Sequence, residues 1–354
     1  MTLEDLGYND ALEKYRMEQN LRSFSVARVI SEHRERYMVK TDHGEFEAEV
    51  VGNLRFSARD RTDFPAVGDW VAVSEYDEHK MLIHAILPRV TMLARTAVGT
   101  TGEKQIIASN IDYGLIIQAV DRDFNLNRIE RYLAICYNSG ITPVIVLTKI
   151  DLITGEDLKT LLDTIAKRII DVPLIAISNK SKGGYDDLLK YIFKGKTYCL
   201  LGSSGVGKST LVNNLSGRSL MKTDVISTST NKGKHVTSHR ELFLLDNGGI
   251  LIDNPGMREV GIADAATGLK TAFDNIMNLS LDCKFKDCTH THENGCAVLE
   301  ALERREIDRD AYDNFLKMTK ERAHFESSVE ERREKDKSFG KILKDYKKFR
   351  KKNE

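Results

Sequence analysis

The chain has 354 residues, 41% of them hydrophobic, with 53 Lys and Arg against 53 Asp and Glu and five cysteines. That length accommodates two or three domains with a sizeable core, and the even charge balance excludes a uniformly basic nucleic-acid coat. The few, unevenly placed cysteines exclude a secreted disulfide framework, and no apolar run is long enough to span a bilayer, so a cytoplasmic chain without a membrane partner is expected.

The first twenty residues, MTLEDLGYNDALEKYRMEQN, lean acidic and read as an N-terminal extension (1–20). Between 21 and 95 the stretches FSVARVI, RYMVKT, EFEAEVV, DWVAVSE and KMLIHAIL alternate apolar and polar residues between turn signals. Five such strands suit a small barrel, the OB-fold, and Trp70 reads as a core residue rather than a base-stacking platform. From about residue 105 the pattern changes. YGLIIQAV is an unbroken apolar run, as a buried parallel strand would be, and LNRIERYLAICYNSG has helical spacing ending at Gly140. TPVIVLTKID, VPLIAIS, KTYCLLG, ELFLLD and GILIDNPG read as further strands, and 156–170, YDDLLKYIF and GKSTLVNNLSG as helices. This alternation predicts a doubly wound α/β domain over 105–262. The rest, 263–354, is helical and charged, and ends in the basic run KILKDYKKFRKKNE. Lys344, Lys347, Lys348, Arg350, Lys351 and Lys352 there are candidate contacts to RNA phosphates.

GSSGVGKS at 202–209 follows an apolar strand and opens a helix, the context a phosphate loop requires. Gly202, Gly205 and Gly207 let the backbone curl around phosphate oxygens, and Ser203, Ser204 and Val206 complete the cradle. Lys208 supplies a cation to the phosphates and a catalytic charge, Ser209 a hydroxyl to Mg²⁺, and Thr210 continues the helix N-terminus. In LIDNPG, Asp253 is a candidate Mg²⁺ ligand and the Gly256 amide a γ-phosphate sensor. In TKID, Asp151 can accept from the N1–H and N2–H₂ of guanine, a donor pair adenine lacks, and the Lys149 stem can lie along the base. ISNKSKGG then brings Ser178 and the Asn179 amide toward the base O6. Near the other end, CKFKDCTHTHENGC offers Cys283, Cys288 and Cys296 with either His290 or His292. Three thiolates and an imidazole make a closed tetrahedral Zn²⁺ site, hence a structural one.

The base selector precedes the phosphate loop, the reverse of the order in small GTPases. All these loops lie at one sheet edge, so a circular permutation preserves the site. With VGDWV, TKID, GSSGVGKSTLVN, KGKHVTS, IDNPGMRE and CKFKDCTHTHENGCAV, the chain resembles the circularly permuted RsgA family, the small ribosomal subunit-dependent GTPases. The resemblance spans about 21–300. It implies an OB-fold, a permuted P-loop GTPase domain and a helical zinc-binding C-terminal domain. It also implies GTP/GDP and Mg²⁺ as ligands, one structural Zn²⁺, and the small ribosomal subunit and its rRNA as partners of a monomer. Hydrolysis would be stimulated by the subunit late in its maturation. The resemblance favours His290 as the zinc ligand. It gives Thr237, with Ser238 as alternate, the Mg²⁺ and γ-phosphate contact.

Two departures stand out. Thr148 occupies the selector position that usually holds Asn. Met257, after the sensor glycine, cannot orient water, which leaves His235 as the candidate water-orienting residue. Because the sensor strand leads straight into the cysteine region, loss of γ-phosphate is expected to alter the zinc domain's grip on RNA. Two other functions fit parts of the sequence. One is a non-enzymatic guanine-nucleotide-sensing rRNA-binding factor. The other is a P-loop ATPase in which TKID is coincidental.

Overall fold

The computed structural model describes residues 1–33, 36–96, 104–121, 124–217, 240–253 and 266–323. They fall into two compact units, Met1–Val260 and Gly261–Glu354.

The first unit opens with α1 (Asp10–Glu18), whose N-cap Asn9 accepts from the Leu12 N–H at 3.1 Å. The helix was not expected in the acidic extension. Its Leu12 joins Leu6, Val26 and Trp70 in one apolar cluster, and the Tyr8 ring meets the edge of Trp70 at 4.9 Å. Packing, rather than intrinsic propensity, therefore stabilises so short a helix. The barrel follows, formed by β1 (Ser25–His33), β2 (Arg36–Lys40), β3 (Glu45–Val50), β4 (Trp70–Asp77) and β5 (Lys80–Ile86). A short helix, α2 (Gly52–Ser57), lies between β3 and β4 in the chain. The strands pair in the order β1–β2–β3–β5–β4 and close where β4 meets β1. Only β3 and β5 are parallel within it. This is the OB-fold expected from the alternating strands: Val29, Val39, Ala48, Val71 and Ile83 point inward, whereas Trp70, 1% exposed, is buried not in the barrel's interior but in the cluster with Leu6 and Leu12, because the residues of β4 alternate between its two faces.

A two-stranded ribbon, β6 (Met92–Thr96) with β7 (Lys104–Ser109), leads out of the barrel. The α/β sheet then uses β8 (Tyr113–Ala119), β9 (Thr142–Thr148), β10 (Leu174–Ala176), β11 (Thr197–Leu201), β12 (Arg240–Leu244) and β13 (Ile250–Asp253). Its order is β10–β9–β8–β11–β13–β12, parallel except for β12 against β13. Helices α3 (Leu126–Asn138), α4 (Gly155–Arg168), α5 (Tyr185–Leu189) and α6 (Lys208–Ser216) connect the strands. The helix expected over 185–193 stops at Leu189. Past it the Phe193 N–H is taken by the Tyr198 hydroxyl at 2.8 Å, a tertiary bond that replaces the helical one.

Two devices join the barrel to this sheet. Strand β1 pairs with β12 through Ser31 opposite Glu241 and Glu32 opposite Arg240, so one sheet of eleven strands runs through both. Arg28, 1% exposed, reaches four acceptors from different segments. It donates to Leu6 O at 2.5 Å, Gly68 O at 3.3 Å, Asn110 O at 3.3 Å and Thr197 Oγ1 at 2.8 Å. Burial pulls its pKa down to about 10, with Asp112 and Asp69 opposing, so it remains a cation at neutral pH.

The second unit contains α7 (Ala266–Ala272), α8 (Asp274–Ser280), the cysteine loop, α9 (Ala297–Glu303) and a helix over 309–323. Its core gathers Phe273, Ile276, Val298 and Phe315, with the two phenylalanine rings edge to face at 5.6 Å. No helix among the described residues is long and apolar enough to cross a membrane.

Candidate functional site

Strand β11 lies between β8, which precedes it in the chain, and β13, which follows it. The strand order reverses there, and a crevice opens at the carboxyl ends of such strands. The glycine loop leaves β11 at that point and enters α6 through Gly207. Gly207 has φ 95°, and a Cβ there would lie 2.6 Å from Asn179 Nδ2, so both conformation and space require glycine. Lys208 Nζ folds onto the loop, donating to Gly202 O at 2.8 Å and Ser203 O at 2.6 Å. Arg128, from α3, donates to Ser203 Oγ at 3.2 Å. Ser204 and Gly205 form the exposed crest of the loop, whereas Val206 is buried beneath it. Ser209 and Thr210 sit half-buried in the first turn of α6.

The selector emerges from β9, two strands from β11 across β8. Thr148 is fully buried and its hydroxyl donates to Val206 O at 2.6 Å, so this departure from Asn still makes a bond to the phosphate loop. Lys149 turns the chain with φ 62°, and its ammonium pairs with Asp121 at 2.7 Å. Asp151 is exposed, and its Oδ1 accepts from Ser178 Oγ at 2.6 Å. Ser178 Oγ in turn accepts from the Lys180 and Ser181 N–H groups, which shapes the second base loop. Asn179 donates from Nδ2 to Gly207 O at 3.0 Å and accepts at Oδ1 from the Tyr185 hydroxyl at 2.6 Å. Asn214 of α6 donates to both Asn179 O and the Tyr185 hydroxyl. The residues read from TKID, ISNK and GSSGVGKS thus form one hydrogen-bonded cluster. Asp253 ends β13 at 8% exposure. His235, Thr237, Ser238, Gly256, Met257 and the basic tail lie outside the described residues.

Sequence reasoning missed Asp121, Arg128, Tyr185 and Asn214. Asp121 carried a signal, an acid just past the apolar run of β8. The other three carried none, because their roles arise from contacts between distant segments.

In the second unit Cys283, Cys288, His290 and Cys296 bring their ligand atoms within 4.8 Å of one another. Cys283 Sγ lies 3.8 Å from Cys296 Sγ, and His290 Nδ1 lies 3.6 and 3.4 Å from those two sulfurs. A tetrahedral metal with bonds of about 2.3 Å to sulfur and 2.0–2.1 Å to nitrogen needs edges of about 3.8 and 3.5 Å. The edges among Cys283, His290 and Cys296 match both. His290 is turned inward by φ 58°, with its carbonyl held by the Tyr312 hydroxyl at 2.5 Å. His292 instead engages Thr291 Oγ1 at 2.8 Å and is not among the clustered residues. Glu293 ties the loop together by accepting from the Thr289 hydroxyl and from the Thr289, Thr291 and His292 N–H groups; the bonds from the Thr289 hydroxyl first, then from the Thr289 and His292 N–H groups, hold its pKa far below the usual carboxylate range.

A family model described as RsgA GTPase matches residues 86–263. The chain is 42% identical over 325 residues to the protein named "Small ribosomal subunit biogenesis GTPase RsgA 2" of Listeria monocytogenes serotype 4b, covering 92% of this chain and 90% of that one. It is 38% identical over 342 residues to the protein named "Small ribosomal subunit biogenesis GTPase RsgA 1" of Bacteroides thetaiotaomicron, covering 97% and 96%. Among solved structures it is similar to YjeQ from Thermotoga maritima, with a TM-score of 0.61 and 24% identity over 84% of this chain and 98% of that one. It is equally similar to YloQ, described as a circularly permuted GTPase, with a TM-score of 0.61 over 85% and 96%. At 24% identity these two likenesses bear on the fold, which is the permuted one.

Proposed function

The chain belongs to the RsgA GTPase family, and from that premise we propose that it hydrolyses GTP as a late checkpoint in small ribosomal subunit assembly, stimulated by the subunit itself. The observation that carries this reading is the bonding of both base loops to the phosphate loop, Thr148 to Val206 O and Asn179 to Gly207 O. One nucleotide can then meet Asp151 at its base and Lys208 at its phosphates. Asp151 accepts from guanine N1–H and N2–H₂, a donor pair that adenine cannot offer. Lys208 and the amides of 202–209 hold the phosphates. Ser209, Thr237 and Asp253 would hold Mg²⁺, which neutralises charge between the phosphates when bound. Gly256 senses the γ-phosphate. Met257 has no group with which to orient water, so His235 takes that role. The three thiolates and one imidazole suit Zn²⁺ and leave no position for substrate, which makes the metal structural.

In this reading the extension (1–20), barrel (21–95), GTPase domain (105–262) and zinc-binding domain with basic tail (263–354) act in one cytoplasmic monomer bound to rRNA. The test measures GTP turnover with and without purified small subunits, beside competition by ATP and an Asp151→Asn variant. Stimulation by the subunit, preference for GTP, and a shift of the variant toward xanthosine nucleotides are expected. A wild-type preference for ATP would overturn the guanine assignment, and turnover indifferent to subunits would overturn the checkpoint.

A further inference from the structure

We infer that Asn179 is a positioning residue for the phosphate loop: standing in a base-reading loop, it sets the direction of the Lys208 N–H that meets the nucleotide's phosphates. The inference rests on the guanine-nucleotide reading above and adds to it a coupling between the two ends of the ligand.

A trans peptide is flat, with its C=O and N–H pointing in opposite directions, so holding the oxygen aims the hydrogen. The Gly207–Lys208 peptide presents Gly207 O to Asn179 Nδ2 at 3.0 Å as well as to the Leu211 N–H at 2.9 Å. Its N–H, that of Lys208, therefore faces back toward the loop interior. The preceding peptide is held in the same way, since Val206 O accepts from Thr148 Oγ1 at 2.6 Å and the Gly207 N–H is aimed by that bond. Two successive amides of the anion site are thus oriented by two side chains from two base-reading loops. The Leu211 N–H is the first bond of α6 and holds Gly207 O from the helix side, and Asn179 adds a second hold from the base loop, while the preceding peptide at Val206 O has its hold from Thr148.

The carboxamide is itself held in one orientation. Tyr185 OH donates to Asn179 Oδ1 at 2.6 Å, which leaves the nitrogen end to face Gly207 O. That hydroxyl accepts from Asn214 Nδ2 at 2.9 Å, and Asn214 also donates to Asn179 O at 3.0 Å. Tyr185 is 8% exposed, so the network is shielded from competing water. Asn214 belongs to α6, the helix the phosphate loop opens. The second base loop is therefore anchored at two points on the phosphate-binding element.

The coupling predicts that damage in the base loop is felt at the phosphates. Dissociation constants for GDP and for GMP would be measured by competition against a fluorescent guanine nucleotide, with thermal melting of each nucleotide-free protein as a check of folding. Asn179→Ala is expected to weaken GDP about five- to tenfold, the loss of roughly one hydrogen bond's worth of orientation, and GMP about twofold or less. The advantage of GDP over GMP shrinks accordingly. Tyr185→Phe, which keeps the ring, is expected to shrink it in the same direction by a smaller factor, and it carries the comparison if Asn179→Ala does not fold. Equal weakening of GDP and GMP, or no weakening in either variant, would overturn the coupling while leaving the guanine site standing. A wild-type protein that failed to bind GDP at all would overturn both.

Discussion

Thr148 and His84 illustrate how one side chain's surroundings set its chemistry. Thr148 ends a buried strand, where an unbonded hydroxyl would be costly, and its bond to Val206 O removes that cost while tying selector to cradle. His84, on β5, stacks on Phe24 at 4.2 Å with Nε2 2.7 Å from Ser74 Oγ. Partial burial there lowers its pKa below the ordinary value. The folded barrel thus favours the neutral ring, and the unfolded chain takes up the proton first as pH falls. Stability from this site is complete above about pH 6.5 and declines as pH drops through that value toward the lowered folded pKa. His84→Gln should flatten the dependence of the melting temperature between pH 7.5 and 5.5. An equally steep dependence in the variant would count against the assignment.

At the scale of the element, VGDW is where the barrel is locked to the β6–β7 ribbon that leads on to the nucleotide sheet. A Cβ at Gly68 would lie 2.2 Å from Ser109 O, so only glycine allows the loop before β4 to lie against the end of β7. Asp69, fully buried, accepts from Arg89 Nε and Nη2, from Ser109 Oγ at 2.5 Å and from the Ala66 N–H at 2.8 Å. Arg89 also donates to Thr62 O and Phe64 O, fastening the loop between α2 and β4. Asp69→Ala leaves a largely buried guanidinium without its carboxylate and should cost about 3–5 kcal/mol. In urea the midpoint should fall with little change in slope. The double variant Asp69→Leu with Arg89→Met should recover part of the loss, because it removes both charges together. A single variant as stable as wild type would show that the lock contributes nothing.

At the scale of the whole molecule, two units with different sources of stability share one chain. The first buries long apolar strands on both faces of the sheet, whereas the second has a small core beside four clustered metal ligands. Its order should therefore depend on the metal more than that of the first unit does. Chelation followed by metal analysis should release one zinc, expose the three clustered thiols to a thiol reagent and increase proteolysis after residue 266, while GDP binding by the first unit persists. Thiols already reactive before chelation, or a protease pattern unchanged by it, would argue against a structural metal.

By itself the sequence determined the parts of this protein that are written locally. Strand alternation specified the barrel, the glycine spacing of 202–209 specified the phosphate loop, and cysteine spacing specified the metal cluster, because each depends on residues within one turn or one loop. Even the permuted order was legible, since every loop of the site sits at the end of a recognisable strand. The tertiary structure alone decided what joins these parts. It ran β12 onto β1, turned α1 into a cover for Trp70, and brought Asn179 and Tyr185 to Gly207. Each of these is a contact between segments far apart in the chain, and hydrogen bonds of that kind leave no periodicity for a sequence to display.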